Sequence, residues 1–530
     1  MGEGTLLAID VGTQSVRALA FDPKGQLIDH AQIVYLVPYN SPHPGWAEQD
    51  PNYYWESLAE SCHKLWSGGK VSPESIVAVA LTTQRGTVIN LDHSGQPLRP
   101  AILWLDQRRA KKLPNVGLIW KTIFKISGLS GILHTLQAEA ELNWLRENEP
   151  ETLEKTAHYL FLSGYLSYKL TGEFTDSIGC IVGYVPFDYR RQTWPSPNHW
   201  KWKAIPVMED VFPQLVPPGS KMGFISAQAA ELTGLPKGLP LIAGASDKAC
   251  EVLGSGCLEP HQGCIGFGTT ATICVNSKHY VEPIPLVPPY PSAKPGAYNL
   301  EFQTFRGFWM VSWFKEQFAL KEQEIAQERG VATESLLEEM VAKVPPGSLG
   351  LLLQPYWSPG LRYPGPEAKG CIIGFGGVHK REHIYRALLE GLVYSMREGR
   401  ERIEKRSKVP ITELSVCGGG SKSDQVMQIT VDVFNLPVRR TKVSEASGLG
   451  AAILAAVGSG FYPDIETAAR EMTNVGSVFE PNSKSVKIYD ELFKKVYSKT
   501  YRRLRPLYRV IQAVTGYPEI PGKSAHLGVE

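Results

Sequence analysis

The 530-residue sequence has no long apolar run and almost no net charge. No stretch approaches the ~18 consecutive apolar residues that a transmembrane helix needs. With 55 Lys and Arg against 53 Asp and Glu, the net charge of +2 gives no overall field for binding nucleic acid or an acidic membrane. We therefore expect neither nucleic acid nor a membrane as a partner, although a local basic patch stays open.

Paired cysteine motifs and a targeting segment are also missing. The eight cysteines are scattered and none forms a Cys-x-x-Cys pair. This pattern disfavours zinc and disulfide frameworks and favours buried, reduced thiols. The first residues carry no basic segment, and Asp10 interrupts the first apolar stretch, so a secretory signal is not expected. These absences predict a cytoplasmic location.

Strand-like and helix-like segments alternate along the chain. Residues 6–9 and 16–21 are predicted strands joined by a small polar turn with a glycine, which makes a hairpin. The continuous apolar run 76–81 is typical of a buried strand in a parallel sheet. Amphipathic stretches such as 137–145 lie between strands of this kind. The alternation predicts an α/β fold.

The segment 264–275 repeats the features of the first hairpin. Each places a Gly-Thr turn between apolar strand-forming residues, once near the start and once near the middle of the chain. A chance similarity between two short segments is one explanation. A duplicated fold is the other, and it predicts two related α/β lobes, residues 1–253 and 254–530, with a cleft between them.

The first hairpin turn is a candidate phosphate-binding site. Gly12 lets the backbone approach a phosphate closely, and the hydroxyls of Thr13 and Ser15 can donate to its oxygens. Arg17 falls on the same strand face as Ser15 and could reach phosphoryl charge. Asp10 could hold Mg²⁺ through water, because this ion prefers oxygen ligands and keeps much of its hydration. An ordinary polar hairpin is the alternative.

Two further glycine turns follow in the second half. Gly268, Thr269 and Thr270 form a second phosphate-binding candidate, so that one turn from each lobe would hold a nucleotide. Residues 418–420 are three glycines between a predicted strand and a predicted helix over 425–434, which leaves backbone open to a flat ligand such as adenine. Tight packing alone would also explain these glycines.

Asp247 lies at the end of an apolar strand, close to the predicted lobe junction. A carboxylate in that place could act as a general base. The alternative is that Asp247 caps the helix that follows.

The four candidate segments, in chain order, are residues 10–17, Asp247, residues 268–270 and residues 418–420. Together and in that order they resemble the FGGY carbohydrate kinase family, within the actin-like ATPase superfamily. The resemblance covers nearly the whole chain and includes landmarks at residues 45–51, 168–173 and 374–391. It implies two RNase H-like lobes with the active site in the cleft between them. It also implies ATP-dependent phosphorylation of a sugar or polyol hydroxyl, with ATP and Mg²⁺ as cofactors. The expected partner is a small sugar or polyol, and a homodimer stays possible.

The resemblance also assigns roles to individual residues. Residues 10–17 are similar to the family's first phosphate motif and 268–270 to its second, whereas 418–421 and 445–452 are similar to its adenosine region. It implies that Asp247 is the catalytic base, whereas Asp10 is the metal-binding candidate from its residue chemistry. The residues expected to bind substrate are Gln84, Arg85, Asp106 and Asp247. Those expected to bind ATP are Thr13, Gln14, Ser15, Arg17, Gly268, Thr269, Thr270, Gly419, Gly420, Ser421 and Asp424.

The identity of the sugar is ambiguous. Residues 82–87 resemble the substrate loop of glycerol kinases, but Gly86 stands where these carry Glu, and Leu136 falls near the position of their substrate-contacting Tyr. Losing two polar contacts disfavours glycerol, since each buried hydrogen bond matters by ~1 kcal/mol or more. The Met-His pair usual in xylulokinases is absent. Residues 344–348 are similar to the autoinducer-2 kinase branch, whose Ser-Met-Arg loop differs. We therefore predict a kinase for a pentulose, polyol or related acyclic sugar.

Two other functions share the same turns. An actin-like ATPase without kinase activity would keep the phosphate and adenosine segments and would not need a polar substrate pocket. A binding-only sugar sensor would keep the pocket and lose turnover. ATP consumption with and without a panel of sugars distinguishes the three.

Overall fold

Two mixed β-sheets organise the chain in a computed structural model that describes residues 4–360 and 363–517. The last thirteen residues of the predicted second lobe, 518–530, therefore lie outside the described part. The strands of the first half are β1 (Thr5–Val11), β2 (Ser15–Phe21), β3 (Leu27–Val34), β4 (Glu48–Gln49), β5 (Ile76–Thr83), β6 (Val88–Leu91), β7 (Ala101–Ile102), β8 (His158–Phe161), β9 (Thr175–Ser177), β10 (Gln214–Val216), β11 (Lys221–Phe224) and β12 (Pro240–Ser246). Those of the second half are β13 (Gln262–Phe267), β14 (Ala271–Ser277), β15 (Tyr290–Pro291), β16 (Tyr298–Thr304), β17 (Leu352–Gln354), β18 (Cys371–Ile373), β19 (Glu413–Cys417), β20 (Val438–Thr441) and β21 (Val475–Phe479).

Helices connect and cover these strands. In the first half they are α1 (Pro51–Ser67), α2 (Leu118–Ile126), α3 (Ser130–Glu139), α4 (Glu141–Asn148), α5 (Pro150–Lys155), α6 (Leu162–Thr171), α7 (Trp200–Ala204), α8 (Ala227–Thr233) and α9 (Asp247–Gly254). In the second half they are α10 (Trp309–Phe318), α11 (Leu320–Arg329), α12 (Thr333–Ala342), α13 (Arg381–Ser407), α14 (Asp424–Phe434), α15 (Ala446–Gly458), α16 (Ile465–Met472), α17 (Ser483–Leu492) and α18 (Ser498–Thr515). Among the described residues, no helix is both long and apolar enough to cross a membrane.

The two large sheets share one topology. The first runs β3-β2-β1-β5-β12-β11 and the second runs β16-β14-β13-β19-β20-β21, with β15 added at the outer edge. In each sheet the first three strands form an antiparallel meander. The next two strands lie parallel to the third strand, which is β1 in the first sheet and β13 in the second, and the last strand is antiparallel to its neighbour. The repeated order supports duplication over chance as the origin of the two similar hairpins.

Helix α15 packs on the first sheet although it comes from the second half of the chain. Its buried residues, such as Leu454, join one apolar cluster with Leu6 and Leu19 of the first sheet. It also crosses α9 closely: a Cβ on Gly450 would lie 2.0 Å from the carbonyl oxygen of Cys250. The division at residues 253 and 254 stays a prediction, and the structure shows that the core of the first sheet draws on both sides of it.

Local predictions agree with most of these elements. The hairpin of β1 and β2 and the parallel strand β5 are confirmed. The predicted helix over 425–434 begins one residue earlier, at Asp424, behind the N-cap Ser423. The amphipathic stretch 137–145 is split between α3 and α4, because Ala140 adopts an extended conformation (φ −70°, ψ 115°).

Candidate active site

The parallel strands of the first sheet end at one edge, and polar side chains gather there. Asp10 of β1 lies beside Thr82 of β5, and Thr83 lies beside Ser246 of β12. In open α/β sheets ligands bind outside the carboxyl ends of such strands. The segments around Asp10, Gln84 and Asp247 thus meet at one place, as the predicted site requires.

Asp10 is a buried carboxylate surrounded by other charges. Arg17, its neighbour across the hairpin, places Nη1 3.4 Å from Asp10 Oδ2 and 3.0 Å from Glu445 Oε2. Burial raises the pKa of Asp10 to about 7, Arg17 opposes this, and the negative charges of Asp247, Glu445 and Glu251 add to it. The site therefore holds more negative than positive charge around Asp10, which is the environment that a cation would relieve.

The other side chains of the first turn, those of Thr13, Gln14 and Ser15, differ in their surroundings. Thr13 Oγ1 donates to Gln84 Oε1 (2.7 Å) and accepts from Trp104 Nε1 (2.9 Å). Ser15 is buried, and its Oγ accepts from Gln32 Nε2 at 2.9 Å. Gln14 is exposed. In this state the Thr13 hydroxyl already has a donor and an acceptor partner.

Asp247 is the first residue of α9, and its side chain is one third exposed. The N-cap position belongs to Ser246, and Asp247 Oδ1 accepts instead from the adjacent amide of Lys248 (2.8 Å). Asp247 is thus not the N-cap residue, although its carboxylate accepts from an amide in the first turn of α9. The carboxylate is left partly open to the cleft, 3.8 Å from Arg85 Nε.

Arg85 joins the two halves of the chain. Its Nη1 and Nη2 donate to Oε2 and Oε1 of Glu301 on β16, at 2.9 and 3.0 Å. The guanidinium also lies 5.1 Å from the ring centre of Tyr290. The next residue, Gly86, has φ +68°, a conformation that residues with a Cβ rarely adopt.

Asp106 is engaged away from any substrate. Its two oxygens accept from the amide of Ala47 (2.6 Å) and from the amide, Nε and Nη2 of Arg108 (2.7–2.8 Å). A carboxylate offers about four acceptor positions, so all of them are filled. We therefore assign Asp106 to holding its loop and withdraw it as a substrate ligand.

The turn of the second sheet is fixed by the segment before α10. The amides of Gly307 and Phe308 donate to the carbonyls of Thr269 (2.8 Å) and Gly268 (3.0 Å). Thr270 Oγ1 donates to the carbonyl of Phe305 at 3.3 Å, whereas Thr269 is exposed. Only Thr269 keeps a side chain that is open to a ligand.

The three glycines after β19 have different environments. Gly418 has φ +82°, and a Cβ on Gly420 would lie 2.4 Å from the Phe308 ring. The local structure therefore explains why glycine stands at both positions. A Cβ on Gly419 would meet nothing within 4 Å, so this residue faces open space. Gly419 is thus the glycine that a flat ligand could approach.

The two polar residues predicted to bind ATP after these glycines contact the protein instead. Ser421 is buried and donates to the carbonyl of Gly418 (2.7 Å). Asp424 is exposed and paired with Arg440.

Comparison with known proteins decides the family. The N-terminal domain model of the FGGY family of carbohydrate kinases matches residues 5–254, and the C-terminal domain model matches residues 263–459. The chain belongs to the FGGY family of carbohydrate kinases. It is a kinase that uses ATP to phosphorylate a sugar or polyol hydroxyl.

Full-length relatives support this assignment. The kinase is 29% identical over 529 residues to an uncharacterized sugar kinase, YgcE, of Escherichia coli K12, covering 97% of this chain and 98% of the relative. It is 29% identical over 509 residues to a xylulose kinase of Lactococcus lactis, covering 93% and 97%. A gluconate kinase from Lactobacillus acidophilus, at 20% identity, shares the fold with a TM-score of 0.77 over 97% of this chain and 99% of the other.

Several residues of the kinase site were not identified from the sequence. Trp104, 44% exposed, borders the first turn, and Glu301 brings a carboxylate from the second half. Glu445 was predicted only as part of the adenosine region, and its contact with Arg17 was not. Lys248 and Glu251 form a buried ion pair at 3.0 Å on α9. Of these residues, Glu301 is the one that the sequence could have indicated as a site residue, because it is a charged residue in the otherwise uncharged strand β16.

Proposed function

We propose that Asp247 is the catalytic base of this kinase and that the acceptor is a pentulose, polyol or related acyclic sugar, phosphorylated in the cytoplasm. The observation that supports this most directly is the position of the Asp247 carboxylate. It is partly exposed at the carboxyl end of β12 and beside Arg85. Ser246, and not Asp247, occupies the N-cap position of α9, although the Ser246 side chain makes no capping hydrogen bond.

The proposed reaction is a direct phosphoryl transfer. The substrate hydroxyl oxygen bonds to the γ-phosphorus of ATP while the bond from that phosphorus to the β,γ-bridging oxygen breaks, and ADP leaves. The hydroxyl proton passes to Asp247. A carboxylate that is partly exposed at the cleft and within reach of the hydroxyl can accept that proton. Most of the acceleration then comes from positioning and from stabilising phosphoryl charge.

Substrate and phosphates have separate sets of ligands in this proposal. Gln84 and Arg85 bind substrate hydroxyls next to Asp247, and the exposed ring of Trp104 offers an apolar surface for the carbon chain. Arg17 and the backbone of the first turn bind the γ-phosphate. The turn at 268–270 binds the other phosphates, and Gly419 leaves room for the adenosine. Ser15, Ser421 and Asp424 support these loops through the protein contacts described above.

The residues near Asp10 fit a magnesium ion. Mg²⁺ takes oxygen ligands and keeps several waters. Asp10 offers a buried carboxylate whose pKa is raised, with the carboxylates of Asp247 and Glu251 close enough to influence it. We propose that Asp10 holds the ion through water. When bound, the ion neutralises phosphate charge, while Arg17 does the same from the protein.

The test is the variant Asp247→Asn, which keeps the shape of the side chain and removes the proton acceptor. We expect kcat to fall by ~10²- to 10⁴-fold, the usual cost of losing a general base. Nucleotide affinity and thermal stability should be retained, because Asn also accepts a hydrogen bond from the Lys248 amide. The measurement is ADP release with a panel of pentuloses and polyols. Full activity of Asp247→Asn would contradict the proposed mechanism.

A further inference from the structure

The positive charge of Arg85 is compensated by the protein itself. Both terminal nitrogens of its guanidinium donate to Glu301, and Nε faces Asp247 at 3.8 Å. The side chains of Arg85 and Glu301 are 16% and 6% exposed, so water screens this pair poorly. A bidentate Arg–carboxylate pair is among the strongest of side-chain contacts. Arg85 therefore already faces two carboxylates of the protein, Glu301 and Asp247, and its charge is not left unpaired for a substrate carboxylate.

Other charged groups of the cleft make its negative character stronger. Arg17 lies between Asp10 and Glu445, so that one guanidinium faces two carboxylates. Lys248 is paired with Glu251 in the same way that Arg85 is paired with Glu301. Within the described residues, the two basic side chains near Asp247 are Arg85 and Lys248, and each is already paired with a glutamate.

A neutral hydroxyl and a carboxylate would be received differently here. A hydroxyl can accept from the N–H groups that Arg85 retains and donate to Asp247. A substrate carboxylate would face Asp247 and Glu301 without an unpaired cation, and like charges brought together cost several kcal/mol. Glu301 is well placed to decide this, because it comes from β16 in the other half of the chain and contacts Arg85 directly.

We propose that Glu301 makes the substrate pocket selective for neutral polyhydroxy compounds and excludes their carboxylate counterparts, the aldonates. This inference rests on the proposed placement of the substrate beside Arg85 and Asp247. The fold does not decide it, since a gluconate kinase has the same fold. Glu301 is a specificity residue that acts through Arg85.

The experiment uses matched probes that differ at one terminal carbon, which is a CH2OH group in the neutral member and a carboxylate in the other. Sorbitol and D-gluconate form one pair, and xylitol and D-xylonate form another. For each compound, KM as a substrate, or Ki against the best neutral substrate, is measured with ATP and magnesium. We expect the neutral member of each pair to bind at least ~10-fold more tightly to the unaltered protein, the discrimination that unpaired charge produces at a partly buried site.

The variant Glu301→Gln should reduce that neutral-to-aldonate ratio by ~10-fold or more, because it removes one negative charge and frees the guanidinium. Glu301→Asp keeps the charge and should keep the ratio. Glu339→Gln, the same charge change at an exposed residue of α12, is the control. Thermal unfolding and KM for ATP verify that each variant is folded.

Two results would overturn the inference. One is equal or tighter aldonate binding by the unaltered protein. The other is an unchanged neutral-to-aldonate ratio in folded Glu301→Gln. If that variant does not fold, the neutral-to-aldonate ratio of the unaltered protein is the deciding measurement. Failure of the proposed function would look different: no compound would be phosphorylated with ATP, although binding of the two members of a pair could still be compared by calorimetry.

Discussion

Asp10 combines a functional position with an unfavourable environment. Its carboxylate is buried, its pKa is raised to about 7 by that burial, and one arginine is shared between it and Glu445. Proteins retain such a group where a ligand compensates it. The structural cost of Asp10 is thus consistent with the metal-binding role proposed for it.

The variant Asp10→Ala should lower kcat by ~100-fold or more, because two phosphate turns need a cation to neutralise their ligand's charge. KM for the sugar should change little, since Asp10 is not among its proposed ligands. Removing a buried, poorly compensated charge should leave thermal stability unchanged or higher. Steady-state kinetics and thermal unfolding measure these effects.

Asp210→Ala, at an exposed residue, is the matched control and should behave as the unaltered protein. Equal kcat in Asp10→Ala and the control would rule out the metal-binding role of Asp10.

At the scale of elements, the crossing of α9 and α15 depends on glycine. A Cβ on Gly450 would lie 2.0 Å from the carbonyl oxygen of Cys250, and one on Gly254 would lie 2.0 Å from that of Ala446. Both obstacles are backbone atoms, which cannot rotate away. Because α9 begins at Asp247, the contact also fixes the helix that carries the proposed base.

The variant Gly450→Ala should lower the free energy of unfolding by ~2 kcal/mol or more, because overpacking against backbone forces the helices apart. Thermal or urea unfolding measures this. Gly131→Ala is the control: it also lies inside a helix, α3, but its Cβ would meet nothing within 4 Å. The control should gain up to ~1 kcal/mol from helix propensity. Equal effects of the two substitutions would show that the crossing is not tight.

At the scale of the whole molecule, each half of the sequence has a large apolar cluster of its own, and a third cluster joins the two halves. Helices α15 and α16 of the second half cover the first sheet through an apolar cluster that includes Ala451, Ile465 and Met472. Arg85 and Glu301 connect the halves again at the cleft. The site is therefore built from both halves.

A fragment of residues 1–253 should not fold on its own. Without α15 and α16, the apolar face of its sheet would be exposed, and a core that loses one covering layer loses cooperative unfolding. We expect the fragment to bind the dye ANS and to lack a sharp thermal transition, in contrast to the full chain in the same assay. A cooperative transition without ANS binding would show that residues 1–253 are an autonomous domain.

Much of the local structure and the set of loops could be predicted from the sequence. The hairpin of β1 and β2, strand β5 and helix α14 follow from periodicity and turn residues. The order of the glycine turns and Asp247 identified the family, which the domain comparisons confirm. The break at Ala140 could not be predicted, because nothing in that stretch marks a helix end.

The individual roles of polar residues depended on the tertiary structure. Asp106 was predicted to bind substrate, yet its four acceptor positions are filled by Arg108 and Ala47. Glu301 lies 216 positions from Arg85 along the chain, so no local pattern connects them. Which glycine of 418–420 faces open space also depended on Phe308, a residue of another segment.

The sequence by itself determined the α/β class, the two similar hairpins and the family, because these depend on short-range periodicity and on motifs whose residues are close along the chain. Only the tertiary structure decided that α15 belongs to the core of the first sheet, that Ser246 and not Asp247 occupies the N-cap position of α9, and that Arg85 is neutralised by Glu301. The physical reason is that burial and pairing of charges arise from contacts between distant segments. A carboxylate's sequence position shows that it can ionise, but its partners in space decide whether it is left to act on a substrate.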